Sequence, residues 1–345
     1  MLDIIQAVKK SINIPRKLLP VFSIIIPFLI LYSLYPESFE ATWKGRTYYL
    51  FFLWLFLLEI ILNWEELQTR KISDMKLARK IGLIISLLAP TVYVVVANFY
   101  ELNHMIENLA EQNNILFAHE MPLSTEYLIF SVFFTLIILL EYGISGLKDF
   151  SISTIFLGII GVIYTIDNIY PYGRFTPFQL FVPMTATLAA IVLNLMGYET
   201  RLSFISNHPT YGSMPYLAIL DTQHPTGFAI AWPCSGVESL LIYTVTILLF
   251  LKKSGIPWKH RVIYFIIGAI ITYFINILRV VTVFVIAING GDIGGFHEYY
   301  GPLYSISWII SYPLMIIGSR ALWRKIRDWK AGTKNGSGVF KTTPE

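Results

Sequence analysis

Nine apolar runs, at about 18–35, 47–64, 81–99, 124–145, 151–170, 176–197, 235–252, 262–288 and 302–323, recur along the whole 345-residue chain. A helix needs about 20 apolar residues to cross a hydrocarbon core. In that medium the backbone must satisfy its own hydrogen bonds, which leaves helices and closed barrels as the spanning structures. The repeated runs therefore predict an all-α polytopic membrane protein with no soluble domain of any size. Composition agrees, with 55% hydrophobic and 14% charged residues and a mean hydropathy of +0.61, outside the soluble range. No small-residue cleavage site follows the first run, so it reads as a span and not as a signal. The net charge of +4 is modest. It follows from basic loops and gives no reason to invoke nucleic acid.

Loop charges orient the spans. Basic residues gather at Lys9, Lys10, Arg16 and Lys17; at Arg70, Lys71, Lys76, Arg79 and Lys80; at Lys252, Lys253, Lys259 and Arg261; and at Arg320, Arg324, Lys325, Arg327 and Lys330. The positive-inside rule makes all four regions cytoplasmic. The 100–122 loop carries Glu101, Glu107, Glu111 and Glu120 without Lys or Arg and fits outside. Loops 198–233 and 289–301 then also belong outside, since 252–261 lies between them on the inside. Nine full crossings cannot meet these constraints. The segment 151–170 ends in Ile-Asp-Asn-Ile-Tyr-Pro-Tyr-Gly and is read as re-entrant or interfacial, leaving about eight transmembrane helices. The expected organisation is one transmembrane domain over 1–330, with an extracytoplasmic loop at 198–233, followed by a polar cytoplasmic tail at 331–345. That loop holds turn formers at His208-Pro209, Tyr211-Gly212, His224-Pro225 and Gly227 between β-rich pieces, which predicts a small hairpin-like cap.

The cap delivers the chain to Pro233-Cys234-Ser235-Gly236-Val237-Glu238, which holds the only cysteine. A lone cysteine has no internal disulfide partner. From Cys234 to Lys252 is 252 − 234 = 18 residues, about 27 Å of helix, which puts Cys234 at the outer boundary. Arg279 lies in the otherwise apolar Asn-Ile-Leu-Arg-Val-Val, in the outer part of the same bilayer, where arginine is costly and rare. Asn276 shares its helix face. His297 sits in the short outer loop before the last helix. Each has a plainer reading: inert packing for Cys234, snorkelling to headgroups for Arg279, an ordinary surface histidine for His297. The convergence of all three at one level favours a site. A helix N-terminus after Cys234 would lower its thiol pKa, and Gly236 would admit a close backbone approach. Glu238, one turn on, either pairs with Arg279 or His297 or serves the helix dipole. His104, His119, His208, His224 and His260 show no metal-ligand spacing, with His208 and His224 as minor alternatives to His297. Glu59 and Glu141, near the inner ends of their helices, read as interfacial or structural.

Cys-Ser-Gly-Val-Glu-Ser-Leu, then Asn-Ile-Leu-Arg-Val, then His-Glu-Tyr-Tyr-Gly-Pro-Leu, in that order on the last three helices, resembles the exosortase/archaeosortase family, and its archaeal branch more closely. The resemblance covers about 170–320; the first 150 residues match only as generic spans. It implies a membrane cysteine transpeptidase with Cys234, Arg279 and His297 as active residues, supported by Glu238, Asn276, Ser235 and Gly236. It implies no metal and no organic cofactor. The implied partners are exported proteins ending in a short motif, a transmembrane helix and a basic tail, with an outer-leaflet lipid amine as acceptor. A transporter with an intramembrane Arg/Glu site is the alternative, although it would usually show repeats or paired broken helices. A serine protease built on Ser235 or Ser239 would have a better nucleophile beside it.

Overall fold

The computed structural model describes residues 18–336 apart from 42–43, 64–75, 172–173, 175, 209–211 and 221–225. The basic clusters Lys9–Lys17 and Arg70–Lys71, together with His224, lie outside the described residues. The helices are α1 (Leu19–Leu34), α2 (Thr47–Leu62), α3 (Leu77–Phe99), α4 (Leu102–Gln112), α5 (Met121–Glu141), α6 (Ser151–Ile169), α7 (Val182–Leu195), α8 (Val237–Lys253), α9 (Trp258–Ile288) and α10 (Gly301–Gly336). A three-stranded antiparallel sheet, β1 (Thr200–His208), β2 (Gly212–Ile219) and β3 (Thr226–Ala229), fills the expected cap region. Helix α10 runs six residues past the expected tail boundary, and 337–345 lie outside the described residues.

Polar contacts tie the helices together at two opposite ends. At the end that carries Cys234, Arg46 donates from Nε and Nη2 to Glu126 at 2.8 Å each, and the Tyr49 hydroxyl joins the same carboxylate at 3.0 Å. This fork-on-fork pair fastens the start of α2 to the start of α5. Lys44 reaches Asp167 at 3.2 Å and fastens the start of α2 to the end of α6. Tyr35 donates to Asn98 at 2.9 Å, joining the ends of α1 and α3. At the far end, the buried Glu59 accepts from the Ile152 and Ser153 amides at 3.0 Å and from the Ser153 hydroxyl at 2.6 Å. A carboxylate from α2 thereby supplies the N-terminal cap of α6, which matches the structural reading of Glu59. Between the two ends, Phe28, Tyr49, Phe52, Phe56, Tyr127, Phe130 and Phe134 pack into one aromatic core.

Helix α6 is longer and more regular than expected. The segment 151–170 is a continuous 19-residue helix, long and apolar enough to cross, and the most enclosed of the five long apolar helices. Its polar end looked interfacial only because the partner of Asp167, Lys44, lies far away in sequence. Helix α7, of 14 residues, is one of the shorter apolar helices. It begins beside the cysteine turn, where the Thr185 hydroxyl donates to the Ser235 carbonyl at 2.8 Å. It ends at Asn194, whose Oδ1 accepts from the Thr200 amide and hydroxyl at the start of β1. The sheet lies at the cysteine end too, because Phe228 of β3 packs on Phe284, one turn from the end of α9, at 5.1 Å. Among the described residues, five helices, α3, α5, α6, α9 and α10, are long and apolar enough to cross a membrane, and α1, α2, α7 and α8 are shorter apolar helices.

Candidate active site

The cysteine turn is built to hold one shape. Trp232–Ser235 form a 3₁₀ turn, closed by the Ser235 hydroxyl on the Trp232 carbonyl at 2.6 Å. The Ser235 oxygen is thus spent on its own turn and is fully buried, which removes it as a nucleophile. Gly236 follows at φ +88° and turns the chain into α8. That left-handed conformation favours glycine, and a Cβ there would also lie 2.9 Å from the Asn276 side chain. Asn276, fully buried, donates to the Cys234 carbonyl at 3.0 Å. Sequence reasoning placed Asn276 beside Arg279; what it does is hold the cysteine turn against α9.

Cys234 Sγ lies 3.3 Å from His297 Nε2. His297 sits in a π-helical turn, Phe296–Tyr300, that leads into α10; such turns swing a side chain out of helical register and recur at functional sites. Arg279 is 8% exposed and, among the described residues, makes no hydrogen bond or ion pair. A Cβ on Gly301 would lie 2.6 Å from its Nε, so any larger residue there would displace the guanidinium. Glu238 takes neither of its two expected partners by hydrogen bond. The Tyr48 hydroxyl donates to it at 3.0 Å, and Arg279 stands within its electrostatic reach.

Burial decides the resting protonation of the pair. It pushes the His297 imidazole down to about 4, with the Arg279 charge acting in the same direction. Burial also pushes the Cys234 thiol up; Arg279 pulls against it, while Asp167 and Glu238 add to it. The thiol is therefore not lowered as a helix N-terminus alone would suggest, because burial outweighs such a pull. Thiol and neutral imidazole face each other, an arrangement in which the imidazole takes the proton as the sulfur attacks.

Two chambers meet at this pair. One, of about 270 Å³, is lined by Lys44, Phe117, Asp167 and Pro233 together with Cys234, Arg279 and His297. The other, of about 150 Å³, is apolar, with Phe228, Val280, Val283, Phe284 and Ile293 around the same three residues. Lys44, Phe117, Asp167 and Tyr48 were not singled out from the sequence. The signal that could have found Asp167 is an acid near the end of an apolar span, which is rare unless it is paired or functional.

A family model described as transmembrane exosortase matches residues 21–315. No curated protein and no solved structure resembles the chain closely enough to count as a match.

Proposed function

The chain belongs to the transmembrane exosortase family, and on that premise we propose that Cys234 is the nucleophile of a sorting transpeptidase. The family acts in general as cysteine transpeptidases on exported proteins with C-terminal sorting signals. The observation that carries the assignment is the 3.3 Å approach of Cys234 Sγ to His297 Nε2 beside a buried guanidinium. As the sulfur attacks the scissile carbonyl carbon, His297 accepts the thiol proton. Arg279 stabilises the oxyanion; a fixed cation in a water-poor site suits charge that develops in the transition state. The tetrahedral adduct collapses with loss of the C–N bond, and His297 returns the proton to the leaving amine. The resulting thioester is transferred to an amine, which we assign to an outer-leaflet lipid headgroup. Asn276, Ser235 and Gly236 position the nucleophile, and Glu238 with Tyr48 sets the field around Arg279.

The cysteine end faces outside in this reading. The acidic 100–122 loop at that end and the basic 252–261 and 320–330 segments at the other support it. The test is processing of a co-expressed exported protein ending in motif, apolar helix and basic tail. Cys234→Ala should leave it uncleaved while the variant still folds into the membrane. Continued cleavage by that variant would overturn the assignment.

A further inference from the structure

We propose that the chamber lined by Lys44 and Asp167 is the seat of the acceptor amine, which binds as its ammonium to the Asp167 carboxylate after displacing Lys44. The inference rests on Cys234 as the nucleophile. Asp167 is buried, lines the same chamber as Cys234 and sits close enough to act on the thiol electrostatically. Its partner Lys44, at 3.2 Å, has a second place to rest, since its ammonium also lies 3.9 Å over the ring of Phe117. A cation with two partners can release one of them at modest cost. The Lys44 ammonium thereby marks, inside a chamber that opens on the sulfur, the spot where another ammonium is welcome. The opposite chamber is apolar and offers no such partner.

The chemistry balances. The acceptor arrives as R–NH₃⁺ and gives one proton to Asp167. Its nitrogen lone pair attacks the thioester carbonyl, a C–N bond forms and the C–S bond breaks. The second nitrogen proton passes through His297 to the departing sulfur, restoring the thiol. Asp167 loses its proton to water when the product leaves.

The purified full chain in detergent, acylated with p-nitrophenyl acetate, provides a readout that needs no identified substrate. The sole thiol takes the acetyl group, and p-nitrophenolate turnover reports deacylation by added nucleophiles. Two probes are compared: propylamine, a cation at neutral pH, and hydroxylamine, uncharged there. In Asp167→Asn the propylamine-to-hydroxylamine rate ratio should fall about tenfold, the effect of losing one hydrogen bond to a charged group. In Lys44→Gln, which unblocks the carboxylate and guards against misfolding of the first variant, the same ratio should rise. A ratio unchanged in both variants would overturn the seat at Asp167 and leave the nucleophile assignment standing. A burst of p-nitrophenolate that persists in Cys234→Ala would overturn the nucleophile assignment, and this inference with it.

Discussion

Cys234 and His297 meet at rest as a thiol and a neutral imidazole, and that fixes how the site should respond to pH. His297 accepts a proton only while neutral, and its pKa is pushed from 6.5 to about 4. The base is therefore present above that value and lost as pH falls through it. Processing in proteoliposomes should be flat across roughly pH 6 to 8 and decline only well below that, where an unperturbed histidine near 6.5 would already have failed. A midpoint near 6.5 would contradict the buried neutral imidazole. Folding stability carries the same sign, complete above the ordinary histidine pKa and falling as acid forces a charge into the turn. Arg279→Lys keeps the charge but loses the planar fork of donors, so processing at matched expression should fall about 100-fold, as when an oxyanion donor is lost. Near-normal processing by the lysine variant would mean that Arg279 only snorkels. Gly301→Ala, distant in sequence from both Cys234 and Arg279, should slow processing on the order of tenfold to a hundredfold while leaving thermal unfolding little changed. Its new methyl meets Arg279 Nε and moves the guanidinium, and small misplacements of that kind are costly.

Among the elements, α2 joins both ends of the bundle, through Arg46 and Lys44 at one and Glu59 at the other. Glu59→Ala should cost about 1–3 kcal/mol, because it orphans two buried amides and a hydroxyl at the start of α6; the unfolding midpoint in detergent measures it. Helix α7 gives a topological test. In a Cys234→Ala background, single cysteines placed at Asn113 and Met196 should label from one side of the membrane, and one at Ser145 from the other. Labelling of positions 113 and 196 from opposite sides would make α7 a crossing. The cap was legible in advance because turn formers and β-rich pieces are local signals. The convergence of Cys234, Arg279 and His297 on one chamber was legible because each is anomalous where it stands. That 151–169 forms one continuous, largely enclosed helix was not legible, because an apolar helix sheltered by protein has the same composition as one sheltered by lipid. Phe117, which lines the chamber of Lys44 and Asp167, sits in a stretch that reads only as an acidic loop.

At the scale of the whole molecule, the raised thiol pKa has a consequence for survival. The cysteine end is the face we assign to the outside, where oxidants are not held in check by the cytosolic thiol pool. An oxidised Cys234 would have no second cysteine in the chain to condense with, so a sulfenic acid there would proceed toward irreversible forms unless an external thiol intervened. Reactivity toward peroxide and toward stray electrophiles follows the thiolate, not the thiol. By keeping the sulfur protonated until an acyl donor and His297 act together, the buried site lowers the reactivity of the proposed nucleophile between turnovers. Peroxide should consequently inactivate the resting protein more slowly than it consumes free cysteine at the same pH.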